Sequence, residues 1–141
     1  MPAAADVLVD TSVAVALAVA DHEHHHATVE AVGRRRVGLA GHAAFETFSV
    51  LTRLPAPARR GPEVVARLLA ASFPATRFLG PDAASALLAE LAGVGIAGGA
   101  VYDALVGAVA REHGLVLATR DRRALDTYRA LDVDVEFVGS S

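Results

Sequence analysis

The sequence predicts an α/β fold with a mostly parallel central sheet covered by helices on both faces. Two observations carry that expectation. Short, near-continuous apolar runs alternate with longer helix-like stretches along the whole chain, the pattern of strands buried on both faces and joined by crossover helices. Acidic residues also stand just past two of those runs: Asp10 after Val7-Leu8-Val9, and Asp121 after Leu115-Val116-Leu117-Ala118-Thr119. In such sheets ligands bind outside the carboxyl ends of the strands.

Residues 7–9 read as a short buried strand, with Thr11 and Ser12 as cap residues of an apolar helix from about Val13. Asp21 opens a second helix carrying His22, His24, His25 and His26, which ends at Gly33 and the arginines 34–36. A strand over 37–40 and a helix over 42–54 follow, the latter closed by Pro55-Ala56-Pro57. Gly61-Pro62 starts a helix to about Ser72, and 76–79 reads as a strand. Pro81-Asp82 starts a helix through Leu91, a glycine-rich turn follows, and 100–113 is the next helix. The strand over 115–119, a short helix over 123–131 and a last strand over 135–138 complete the chain.

At 141 residues the chain is one domain, expected over 1–141, large enough to bury a core without disulfides or structural metal. Hydrophobic residues make up 53% and charged residues 21%, a globular balance. The absence of cysteine excludes disulfides and thiolate zinc sites. The longest apolar run near the N-terminus, 13–20, is too short to span a bilayer, and no basic leader precedes it. A soluble, cytoplasmic protein without membrane partners is expected. All 13 basic residues are arginine, and lysine, asparagine, glutamine and tryptophan are missing, which reads as coding bias and is silent on function. The net charge is −3, so a general nucleic-acid binder is not indicated. An acidic centre neutralised by a cation, within a surface bearing arginines 34–36, 59–60, Arg120, Arg122 and Arg123, suits a phosphate-rich ligand.

Two further acids stand in apolar helices. Glu46 is the only charge between Ala40 and Thr52, and Asp103 the only one between Ala97 and Ala110. Each acid has an innocent role: Asp10 as a helix cap, Asp103 at a helix start, Glu46 paired with Arg53, Asp121 shaping a turn. Together they fit less comfortably, because clustered carboxylates repel one another. One or two Mg²⁺ or Mn²⁺ ions would reverse that repulsion, neutralise a phosphate and activate a water. Phosphoester hydrolysis is the reaction such a centre suggests.

Val7-Leu8-Val9-Asp10-Thr11-Ser12, Glu46 in Ala43-Ala44-Phe45-Glu46-Thr47-Phe48, Asp103 in Val101-Tyr102-Asp103-Ala104-Leu105, and Thr119-Arg120-Asp121 form an ordered set of motifs. That set resembles the PIN-domain ribonucleases, in particular the toxins of VapBC-type toxin–antitoxin pairs. The resemblance implies a PIN-like, 5′-nuclease-like three-layer fold and a Mg²⁺-dependent endoribonuclease leaving 5′-phosphate and 3′-hydroxyl ends. It implies catalysis and metal binding at Asp10, Glu46, Asp103 and Asp121, the last directly or through water, with Thr11, Ser12 and Thr119 supporting them. It also implies a homodimer, an RNA substrate and a cognate VapB-type antitoxin. Arg120, Arg122 and Arg123 flank a proposed ligand and are expected to contact RNA phosphate.

Two other signals are discounted. Gly93-Val94-Gly95-Ile96-Ala97-Gly98 spells a dinucleotide fingerprint, but it follows a helix rather than a strand, and Asp103 would repel a pyrophosphate. His22 and His26 are four apart, yet Asp21, Glu23 and Glu30 mark a solvated face without a third ligand. The alternatives to a ribonuclease are another acid-site phosphoryl hydrolase and a non-catalytic PIN-fold module that binds RNA or protein. The first is disfavoured by the absence of lysine and of an Asp-x-Asp pair at Asp10.

Overall fold

The computed structural model describes residues 6–139; positions 1–5 and 140–141 of the expected domain lie outside them. Strands β1 (Asp6–Val9), β2 (Arg36–Leu39), β3 (Leu117–Thr119) and β4 (Val135–Phe137) form one parallel sheet in the order β2-β1-β3-β4. Helices α1 (Thr11–Ala18), α2 (His25–Val32), α3 (His42–Thr52), α4 (Pro62–Ser72), α5 (Pro81–Val94) and α6 (Ala100–His113) connect and cover it. A 3-10 turn, Arg122–Ala124, leads into α7 (Leu125–Ala130).

Why the central strands read as unbroken apolar runs is visible in their packing. Leu8 and Leu117 enter one core with Leu87, Val106, Tyr128 and Leu131. Their neighbours Val7, Val9 and Ala118 enter a second core with Val13, Leu39 and Phe73. Side chains alternate across a strand, so each strand must be apolar on both faces to serve two cores. Each fully buried leucine or valine contributes roughly 1.5–3 kcal/mol relative to exposure. This is the three-layer α/β arrangement expected, with β1 and β3 central and their carboxyl ends side by side.

Three local expectations are corrected. The strand expected over 76–79 is reduced to a single parallel bridge between Ala40 and Arg77. The Thr76 hydroxyl accepts from Leu39 N at 2.9 Å, taking a donor that a backbone ladder would use. The helix expected from Asp21 starts only at His25, because a turn intervenes in which His22 Nδ1 accepts from His24 N at 3.1 Å. His22 and His26 therefore do not share a helix face. Helix α5 runs on through Val94 and closes at Gly95, in the left-handed conformation with φ 75°. Gly93 is thus helical, and the glycine string begins inside a helix.

Gly41 connects β2 to α3 at φ 52°. A Cβ there would also lie 2.7 Å from Val109 Cγ2, so only glycine lets the chain turn this tightly against α6. Helix α3 packs on α1 and α6, which brings three helices together over the ends of β1 and β3. Among the described residues, no helix is long and apolar enough to cross a membrane.

Candidate active site

Asp10 leaves the end of β1 as the N-cap of α1, its Oδ1 accepting from Val13 N at 3.3 Å. The same oxygen accepts from Ser12 Oγ at 2.5 Å. Its Oδ2 accepts from Thr119 Oγ1 at 2.5 Å and from the Tyr128 hydroxyl at 2.9 Å. Ser12 Oγ in turn accepts from Arg120 N at 2.8 Å, and Thr119 Oγ1 from Asp121 N at 3.0 Å. The ends of β1 and β3 are therefore fastened together through one buried carboxylate and two hydroxyls.

Around Asp10 the fold assembles the other three acids. Asp103 arrives on the first turn of α6, Glu46 from α3, and Asp121 from the turn after β3. Asp10, Glu46, Asp103 and Asp121 line one cleft of about 90 Å³ with Thr11, Ser12, Val106 and Tyr128. All four acids picked out in the sequence are brought together, as are Thr11 and Ser12, while Thr119 stands behind Asp10.

The electrostatics follow from this crowding. Burial pushes the Asp10 carboxyl up, opposed by its hydrogen bonds from Ser12, Thr119, Tyr128 and Val13. Asp103 is pushed up to about 6, first by burial and then by the charges of Asp121, Asp10 and Glu46, against a smaller pull from Arg123. The Tyr128 hydroxyl is pushed strongly up, by burial first and then by Asp10, so it stays a protonated donor.

This donor set suits a hard cation. Every candidate ligand is an oxygen, Arg123 offsets only a small part of the mutual repulsion, and the Thr11 hydroxyl is buried in the cleft wall without a hydrogen-bond partner. Among the described residues, however, no three acidic or imidazole groups stand in ligating geometry. The cause is local. Asp10 directs its oxygens to four donors. Asp121 Oδ1 accepts from Arg123 N at 3.0 Å, and Glu46 Oε1 lies 3.8 Å from His42 Nε2. A cation would need these side chains to turn inward, which the half-exposed Glu46 and partly exposed Asp121 are free to do.

The arginines divide. Arg120 turns away from the cleft: its Nη1 donates to Val138 O at 2.5 Å and to Thr28 Oγ1 at 3.3 Å. Arg122 lies over the Phe137 ring, 4.5 Å from its centroid. Only Arg123 of the three stands beside the acids, largely exposed, with Nε 3.5 Å from Asp121 Oδ1. Tyr128 was not singled out in the sequence. An aromatic on an amphipathic helix reads as core, and 118 positions separate it from its carboxylate partner. Gly107 makes its place, since a Cβ there would lie 3.0 Å from Tyr128 Cδ1.

Comparison with known proteins identifies the family to which this fold belongs. The model of the PIN domain family matches residues 7–130. Ribonuclease VapC27 of Mycobacterium tuberculosis is 50% identical over 127 residues, covering 90% of this chain and 93% of that protein. Ribonuclease VapC40 of the same species is 49% identical over 131 residues, covering 92% and 96%. The crystal structure of DNA-bound VapBC from Salmonella typhimurium superposes with a TM-score of 0.64 at 20% identity, over 95% of this chain and 98% of that one. At that identity it supports the fold alone. With a sheet that gathers Asp10, Glu46, Asp103 and Asp121 in one cleft, and relatives of this closeness, the chain belongs to the PIN-domain family, in its VapC group.

Proposed function

We propose that the chain is a Mg²⁺-dependent endoribonuclease toxin, silenced by a cognate VapB-type antitoxin. The observation that carries this reading is the single cleft holding four carboxylates at the ends of β1 and β3, with Asp103 pushed up to about 6 by burial and then by the charges of Asp121, Asp10 and Glu46. Two relatives at about half identity are named ribonucleases, which supports RNA as the substrate. Asp10 and Asp103 would be the principal residues to hold the metal, with Glu46 next and Asp121 completing the set. Mg²⁺ or Mn²⁺, when bound, supplies phosphate neutralisation and activation of the attacking water. Ser12, Thr119 and Tyr128 orient Asp10 and oppose the upward push of its burial, and Arg123 draws the phosphate backbone towards an otherwise repulsive site. The exposed Phe45–Phe78 pair, with ring centroids 6.1 Å apart, supports a homodimer.

Purified protein should cleave RNA when Mg²⁺ is added and leave 5′-phosphate ends, readable by adaptor ligation and sequencing. Asp10→Asn and Asp103→Asn should each lower the rate by about a hundred-fold or more, as loss of a metal ligand does. If both variants cut at the wild-type rate, the nuclease reading is wrong; if the wild type binds RNA without cutting it, a binding module replaces it.

A further inference from the structure

At about 90 Å³ the carboxylate cleft is far smaller than a site that would enclose a nucleotide. A base attached to the reacting phosphate must therefore sit outside it. With Arg120 held on Val138 and Arg122 over Phe137, the 120–123 segment offers mainly Arg123 for substrate contact. Something else beside the acids must fix the register of the chain being cut.

Two rings occupy that position. Tyr102 immediately precedes Asp103 in the first turn of α6, and His42 stands one helical turn before Glu46 at the start of α3. Their rings stack with centroids 5.1 Å apart and an interplanar angle of 23°. His42 Nε2 is also 3.8 Å from Glu46 Oε1, which ties the stack to the cleft. Yet Tyr102 remains 54% exposed. A large aromatic ring braced on one side and open to solvent, carried by the same two helices as two of the acids, is a platform rather than core.

We propose that the His42–Tyr102 stack is a nucleobase subsite, seating one unpaired base of a single-stranded RNA segment beside the carboxylate cleft. The inference rests on the ribonuclease reading and deepens it. Exposed aromatic faces bind unstacked bases, tolerating all four because each has a π face. A base inside a duplex is already stacked on its neighbours and cannot reach such a ring. The subsite therefore selects loops and single strands, and it sets which phosphate falls at the acids. The exposed Phe45–Phe78 pair could also stack a base, but only the His42–Tyr102 pair is tied to an acid of the cleft, through His42 and Glu46.

The test uses the cleavage-blocked Asp10→Asn protein and two labelled RNAs of one sequence, one single-stranded and one duplex. Adding Tyr102→Ala should weaken binding of the single strand about ten-fold or more and leave duplex binding unchanged. Adding Tyr102→Trp instead should restore it. In the protein with Asp10 intact, Tyr102→Ala should leave the Mg²⁺-induced rise in Tm as in wild type. Unchanged single-strand affinity, or an equal loss for duplex, overturns the subsite. So does a shift of Tyr102→Ala to a smaller species on gel filtration, which would mean the ring seats a second copy. If the parent protein binds neither RNA, the ribonuclease reading falls and the subsite with it; RNA binding that is indifferent to Tyr102 removes the subsite alone.

Discussion

Burial first, and then the charges of Asp121, Asp10 and Glu46, move the Asp103 carboxyl from the ordinary 3.8 up to about 6. A raised acid pKa means that the folded protein binds this proton more tightly than the unfolded chain does. Its contribution to stability is fully present below about 3.8 and is lost as pH rises through about 6. At neutral pH the charged form is a net liability. The full shift corresponds to about 3 kcal/mol, and solvent screening of a half-buried carboxylate reduces that to about 1 kcal/mol. Asp103→Asn should therefore be more stable than wild type in EDTA at pH 7 by about that amount, and the two should converge near pH 4. Chemical denaturation across that range measures it. A variant less stable than wild type at pH 7 would make Asp103 a helix-start residue that serves the α6 dipole and nothing else.

At the scale of elements, the segment from β3 through the 3-10 turn decides which charges serve the site. Thr119 faces Asp10, Arg120 turns to Val138, Asp121 turns back to the cleft, and Arg122 crosses to Phe137. Arg123→Ala should lower the slope of log affinity for RNA against log salt by about one, the signature of one lost phosphate contact. Arg122→Ala should leave that slope alone and lower the Tm, since it removes a cation–π contact worth about 0.5–1 kcal/mol. Equal slopes for both variants and the wild type would place Arg123 outside recognition. Sequence could not separate these arginines, because a run of like residues in a tight turn points in directions set by the turn and not by spacing. The acids were legible for the opposite reason: Asp10 and Asp121 end apolar strands, and Glu46 and Asp103 interrupt apolar helices, so each contradicts its own surroundings. Tyr128 contradicts nothing locally, and its role exists only once α7 lies under Asp10. The strand expected over 76–79 fails for a related reason, since the Thr76 side chain takes a place that the pattern assigns to backbone.

For the whole molecule, the cleft has two ways to relieve its charge, and they compete. A cation can bind the carboxylates, or a guanidinium from the proposed antitoxin can enter and pair with them, as arginine does with clustered acids. The surface around the cleft allows either, because Glu46 and Asp121 are both partly exposed and free to turn. If inhibition works by such insertion, metal and antitoxin oppose each other by the same factor in both directions, since coupling between two ligands is reciprocal. Antitoxin affinity measured by calorimetry should fall as Mg²⁺ is raised, and the Mg²⁺-induced rise in Tm of the free protein should shrink in the saturated complex. Nuclease activity should disappear in the same complex. An antitoxin affinity indifferent to Mg²⁺, together with a complex that cuts as fast as the free protein, would mean that the partner binds elsewhere and leaves the four carboxylates untouched.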